Sequence, residues 1–245
     1  MNTPSILVLA IVGLLLGSLL NLIADRFLES SAKHANGIKL FRIIYSFITL
    51  RPIQQTSTNQ TPMRYPIGEL ALTILVPLTF HSLGWQWEIL IAYILLIGLY
   101  VIVQTDLAEM IIPNEIVFFG SAITLLLRLF IHPLPVWNYA IAALLCSGFL
   151  LLIGIVFEKL LKKEAMGGGD IKLYVFLGLV LGIKLTMLSL FLASLVGLLI
   201  LLPLQFFQRK RVGEPFPFGP FIAVGAWIAY IWGNQLVDWY ITLLQ

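Results

Sequence analysis

Apolar residues in this chain come in long runs separated by short polar breaks. A helix that crosses a bilayer needs roughly 20 mostly apolar residues, with about 17 tolerated. On that criterion the pattern predicts spans near 5–24, 67–83, 89–105, 115–131, 137–156, 171–184, 186–206 and 218–241. The sixth is short, and its border with the seventh, around Gly182 to Lys184, is the least sharp; without that border the count is seven rather than eight. The predicted fold is all-α, a polytopic integral membrane protein of about eight transmembrane helices. Residues 1–66 are read as a first helix with a cytoplasmic loop or small subdomain, and 67–245 as the transmembrane core.

Composition strengthens that picture. Of 245 residues, 60% are hydrophobic and 11% charged, with mean hydropathy +0.98. Soluble domains run at about 45–50% apolar and about 25% charged, so a water-soluble globular enzyme is excluded. The lone cysteine, Cys146, sits inside an apolar run and can build neither a disulfide framework nor a thiolate metal site. His34, His81 and His132 are widely separated, so no histidine metal centre is expected.

A net charge of +3 would suit an acidic partner, but in a membrane protein Lys and Arg first report orientation, which sets nucleic acid aside. The start, Met1-Asn2-Thr3-Pro4, lacks the basic residues that precede a cleaved signal, so the first span is read as retained, with the N-terminus outside. With eight spans, segments 25–66, 157–172 and 207–216 share one side and hold thirteen of the fifteen basic residues, which makes that side cytoplasmic. Only Arg128 and Lys184 fall elsewhere, and His81 and His132 lie opposite His34. Within 25–66, the apolar-basic piece 38–45 reads as an interfacial helix and the polar patch 54–61 as a flexible loop, with a plain linker as the alternative.

Two acids stand out against this scarcity of charge. An Asp at the centre of a spanning helix costs about 2.5–3.5 kcal/mol on insertion scales, so membrane acids are kept for a reason. Asp106 follows the apolar run 89–103 and precedes Ile112-Pro113-Asn114; Asp170 closes Met166-Gly167-Gly168-Gly169 and opens the next run. Two predicted spans separate them, which puts both on the cytoplasmic side. Two carboxylates close together in a partly desolvated site cannot both ionise cheaply, so one keeps a proton. The charged partner can then take a proton from an attacking water while the other donates to a scissile carbonyl. No Ser, Cys or metal is needed.

Gly167, Gly168 and Gly169 are candidate substrate-binding residues: glycines accept positive φ and let an extended peptide approach the backbone. The alternative is a flexible hinge with Asp170 as helix N-cap. Glu109, Glu115, Glu158 and Glu164 read as ordinary solvated charges at span ends.

These residues resemble the type IV prepilin peptidase family, membrane aspartic proteases of the GxGD type. The likeness rests on Gly17-Ser18-Leu19-Leu20-Asn21 with Arg26, on Arg64-Tyr65-Pro66-Ile67-Gly68-Glu69-Leu70, on Asp106 with Ile112-Pro113-Asn114, on Met166 to Leu173, and on Pro217-Phe218-Gly219-Pro220-Phe221. It implies that Asp106 and Asp170 are the catalytic pair. It also implies a place in a bacterial-type inner membrane and cleavage, at the cytoplasmic face, of the basic leader of prepilins or pseudopilins. Many members also N-methylate the new N-terminus with S-adenosylmethionine, an activity tied to their N-terminal part. Many carry two CxxC pairs after the first span, whereas 25–66 here has no Cys, so no zinc is expected and methylation is left open. Asn21 can equally be a helix–helix hydrogen-bond partner beside a Gly13-x-x-x-Gly17 interface, and Arg64 and Tyr65 membrane-edge anchors.

Competing readings differ in what they require. An ion-coupled transporter would use the same acids, but expects them near the midplane, with broken spans and often repeat symmetry, and no repeat is visible. A presenilin-type protease would carry a Pro-Ala-Leu segment near its last spans, which this chain lacks. A non-catalytic assembly protein is separated only by an activity test.

Overall fold

The computed structural model describes residues 3–32, 63–161, 167–208 and 216–244. The expected interfacial helix at 38–45, the polar loop at 54–61, Met166 and the basic cluster 209–211 lie outside the described residues. Within them every regular element is an α-helix: α1 (Thr3–Ala32), α2 (Arg64–Leu83), α3 (Glu88–Glu109), α4 (Asn114–Arg128), α5 (Val136–Leu161), α6 (Gly168–Gln208) and α7 (Gly219–Leu243). Stretches in α1, α2, α3, α5 and α6 are long and apolar enough to cross a membrane. The protein is an all-α polytopic membrane protein.

The chain divides into two compact units, Met1–Pro77 and Leu78–Gln245. In the first, α1 lies close against the start of α2 through small residues. A Cβ on Gly13 would come within 2.5 Å of the Leu72 carbonyl oxygen, and one on Gly17 within 3.0 Å of Glu69 Cα. Without a hydrophobic driving force in lipid, such close backbone approach is what packs two helices. The same face carries a hydrogen bond of 3.0 Å from Asn21 Nδ2 to Glu69 Oε1.

In the second unit the decisive feature lies inside α6. A straight helix of 41 residues would be about 60 Å long, twice the roughly 30 Å hydrocarbon core. At Gly182 the backbone leaves the helix, with φ 74° and ψ 173°, a conformation essentially confined to glycine. The chain reverses there. On the second leg, Leu185 and Leu188 face Gly233, Ser189 and Ala193 face Gly225, and Gly197 faces Phe218 and Phe221, so this leg runs antiparallel to α7. The first leg, Gly168 to Leu181, packs on α5, where a Cβ on Gly178 would collide with the backbone at Ala143. The predicted border near Gly182 is this turn, and its two legs replace the single rod.

The polar groups freed by the turn are satisfied locally, as a low-dielectric setting requires. The Ile183 N–H donates to Asn138 Oδ1 at 3.1 Å, and Thr186 Oγ1 donates to the Gly182 carbonyl at 2.7 Å. Ile91, Leu95, Leu99, Leu173, Leu177 and Ile222 belong to the buried core of this unit. The ring of Phe176 is wedged between α3 and α4, where Gly98 and Gly120 leave room for it.

Candidate active site

Asp106 lies in the last turn of α3 and is only 5% exposed. Helix α3 ends at Met110, which takes the left-handed conformation at φ 56° and donates its N–H to the Asp106 carbonyl at 2.9 Å. Pro113, extended at ψ 124°, then launches α4. The sequence Ile112-Pro113-Asn114 is thus a tight corner between α3 and α4.

The Asp106 carboxylate reaches across to α7. Its Oδ2 accepts a hydrogen bond of 2.8 Å from the backbone N–H of Gly219, the first residue of that helix. Unpaired amides at a helix start favour an anion, so this contact suits a carboxylate. Position 219 accepts only glycine in this arrangement, because a Cβ would stand 2.7 Å from Oδ2 and 3.0 Å from Cγ of Asp106.

Asp170 enters from α6. It is the third residue of that helix, half-buried, and its N–H donates to the Gly167 carbonyl at 3.1 Å. The helix starts at Gly168, so Asp170 is not the N-cap considered from sequence. None of the three glycines uses positive φ, which among described glycines occurs at Gly84 and Gly182. Their value here is closeness instead. A Cβ on Gly169 would come within 3.0 Å of Ile112 Cβ, so this glycine seats the α6 start on the α3–α4 corner. Gly168 is exposed, with open space where a Cβ would project, and a Cβ on Gly167 would meet Asp170 Oδ2 at 3.6 Å. Lys172 Nζ donates to Asn114 Oδ1 at 2.9 Å and ties the same two elements on the exposed side.

Three helix ends, those of α3, α6 and α7, therefore converge, and Asp106 and Asp170 lie within electrostatic reach of each other. Sequence reasoning placed the two acids on one side; the structure brings them to one site. It did not find the Gly219 amide as a ligand of Asp106, although the Phe-Gly-Pro at the start of an apolar run is a signal for a helix N-terminus. Glu109 and Glu158 are exposed and Glu115 half-buried, while Glu164 lies outside the described residues. His81 and His132 are exposed, and among the described residues no group of His, Cys, Asp and Glu is arranged to hold a metal.

In the first unit, Asp25, Arg64 and Tyr65 form a second polar cluster. Arg64 Nη2 lies 3.5 Å from Asp25 Oδ1 and donates to Tyr65 Oη at 3.2 Å, and the Tyr65 hydroxyl donates to Asp25. Asn21 and Glu69 pair as the helix-interface reading of Asn21 supposes. Asp25 is the member of this cluster that the sequence did not single out.

The fold and site define a polytopic helical membrane protein with a pair of aspartates gathered at one end of its larger unit. Residues 93–202, which contain both, match the profile of the type IV leader peptidase family. The chain is 32% identical over 186 residues to a prepilin leader peptidase/N-methyltransferase of Aeromonas salmonicida strain A449, covering 74% of this chain and 62% of the relative. It is 31% identical over 200 residues to the protein of that name from Bacillus subtilis strain 168, covering 82% and 79% respectively. A third, from Xanthomonas campestris pv. campestris, is 28% identical over 198 residues, covering 81% and 69%. The chain belongs to the type IV leader peptidase family. It spans under two thirds of the length of the Aeromonas relative. No solved structure gives a significant match.

Proposed function

We propose that this protein is a membrane aspartic endopeptidase that removes the basic leader of type IV prepilins or pseudopilins, with Asp106 and Asp170 as its catalytic pair. The observation that carries the reading is the meeting of the helix ends that bear the two acids, with Asp106 held by the Gly219 amide and the α6 start, which carries Asp170, seated on Ile112. One carboxylate accepts a proton from the attacking water, and the other donates its proton to the carbonyl oxygen of the scissile peptide. Collapse of the tetrahedral intermediate then needs a proton on the leaving amine, which the first group returns. Gly167 and Gly168, exposed beside Asp170, offer backbone for an extended leader. The site faces the cytoplasm of a bacterial-type inner membrane in this proposal, with the basic segments on the same side.

The test compares wild type with Asp106→Asn and Asp170→Asn, purified in detergent or liposomes, on a prepilin substrate. Cleavage by wild type and its loss in both variants is expected; wild-type cleavage by either variant removes the pair. A chelator is expected to leave cleavage unchanged, since the two carboxylates supply both proton transfers.

Methylation of the new N-terminus is proposed as a second activity, because the relatives carry N-methyltransferase in their names and the first unit holds a built polar cluster. The residues offer both charges that such a methyl donor carries: Asp25 and Glu69 are carboxylates that can face a sulfonium or ammonium, and Arg64, which here pairs with Asp25 and lies over the Tyr65 ring, is a guanidinium that can face a carboxylate. S-adenosylmethionine supplies the methyl group when bound. Asn21, Asp25, Arg64, Tyr65 and Glu69 are the residues assigned to hold it. Labelled S-adenosylmethionine tests this directly, and an unlabelled mature product would leave a peptidase only.

A further inference from the structure

At the opposite end of the larger unit a second polar knot joins the same helices that meet at the aspartates. Arg128, the last residue of α4, is 1% exposed although it is charged. Its Nη1 lies 2.8 Å from Oε1 and 2.9 Å from Oε2 of Glu88, the first residue of α3. Its Nε donates to the Leu179 carbonyl at 3.3 Å, and its Nη2 donates to the Val180 carbonyl, at the end of the first leg of α6. The guanidinium also lies over the Tyr139 ring of α5, 4.2 Å from its centroid. Glu88 in turn accepts a 3.0 Å hydrogen bond from the hydroxyl of Tyr230 on α7.

The correspondence between the two ends is close to one for one. Helix α3 begins at Glu88 and carries Asp106 near its end. The first leg of α6 begins around Asp170 and ends at the carbonyls that Arg128 caps. Helix α7 starts at the Gly219 amide and carries Tyr230. Rigid helices transmit a shift along their length, and between about 15 Å (Asp170 to Val180) and about 27 Å (Asp106 to Glu88) of helix separates the knot from the pair.

We propose that the Arg128–Glu88–Tyr230 knot is the positioning device of the active site: it fixes the axial register of α3, the first leg of α6 and α7, so that the two carboxylates and the Gly219 amide meet. Arg128 is the central positioning residue. Only a planar guanidinium can cap two successive carbonyls and bind a carboxylate at once, so lysine is not an equivalent. This inference rests on the proposed peptidase reading for its kinetic readout, but not for its structural one.

The experiment uses the full-length protein in detergent, with Arg128→Met, Arg128→Lys and Tyr230→Phe. The first readout is the split between kcat and KM on a prepilin substrate. The second is the rate of cross-linking by a short bismaleimide between Asn114→Cys and Lys172→Cys in a Cys146→Ala background, an exposed pair at the aspartate end that reports geometry without needing activity. Arg128→Met is expected to lower kcat at least tenfold, in the range of the roughly 100-fold cost of a misplacement of about 1 Å, with KM within about twofold of wild type. Its cross-linking is expected to slow in parallel. Arg128→Lys is expected to recover only part of either, and Tyr230→Phe, which keeps the ring, to show a smaller loss of the same kind. Wild-type kcat and cross-linking in a folded Arg128→Met overturn the proposal, as does a rise in KM with kcat unchanged. If Arg128→Met does not fold, Tyr230→Phe with unchanged kcat and cross-linking overturns it. Should the wild type cleave nothing, the peptidase reading fails by itself, and the cross-linking rates still decide the positioning role.

Discussion

Gly219 and Asp106 lie far apart in sequence, yet the backbone N–H of the first and the carboxylate of the second are joined by a 2.8 Å hydrogen bond. The glycine is required by space, since a methyl group at 219 would stand 2.7 Å from the bonded oxygen. Gly219→Ala is therefore expected to move the carboxylate and lower kcat by about 100-fold, the scale of a 1 Å misplacement, without unfolding the protein. Cleavage kinetics beside a thermal melt in detergent measure both halves of that statement.

The two aspartates are expected to be indispensable to a similar degree. Positioned acid–base groups contribute about 100- to 10,000-fold each, so Asp106→Asn and Asp170→Asn are each expected to fall by at least about 100-fold in kcat. Because the groups act as a unit, the double variant is expected to lose little more than either single one. Single-turnover cleavage of a prepilin decides between that and simple additivity.

Neighbouring glycines before Asp170 are predicted to behave differently. A Cβ on Gly169 would stand 3.0 Å from Ile112 Cβ, whereas one on Gly168 would project into open space. Gly169→Ala is expected to reduce kcat by displacing the α3–α4 corner. Gly168→Ala is expected to raise KM with kcat little changed, if the leader strand lies along it. A Gly168→Ala enzyme with unaltered KM takes that glycine out of the binding surface.

Gly182→Ala tests the turn in α6. The backbone there is at φ 74°, and an added Cβ would come within 2.6 Å of Asn138 Oδ1. Strain of this kind costs about 1–3 kcal/mol, so a lower melting temperature in detergent is expected. An unchanged melt would mean that the turn is softer than its geometry implies.

In the smaller unit, Glu69→Gln is expected to weaken methyl transfer while leaving cleavage rates intact, because Glu69 belongs to the polar cluster of that unit, where it pairs with Asn21. Cleavage and label transfer, measured on the same preparation, separate the two activities.

Much of this was legible from the chain. The all-helical span pattern and the break near Gly182 follow from hydropathy runs and a glycine at a weak border, and the count of spans between Asp106 and Asp170 places both acids on one side. What escaped was set by contacts between residues far apart in sequence. The Gly219 amide carries no side-chain chemistry to notice. Arg128 read as one of two basic residues on the far side, yet its burial with Glu88 makes it an interior group rather than a loop charge. Lys184, the other exception, is half exposed and lies 3.7 Å from Asp238, as a surface charge should. The glycine triplet was expected to use positive φ, but a helix starting at Gly168 needs none.

The turn at Gly182 also acts as a ruler. From Gly168 to Leu181 the first leg of α6 measures about 21 Å, and α4 beside it about 22 Å, against a hydrocarbon layer of about 30 Å. Both elements are thus shorter than such a layer is thick, and Lys184 just after the turn lies beside Asn234 and Asp238. For the proposed peptidase this predicts a recessed site, to which both the scissile bond and the attacking water have to come.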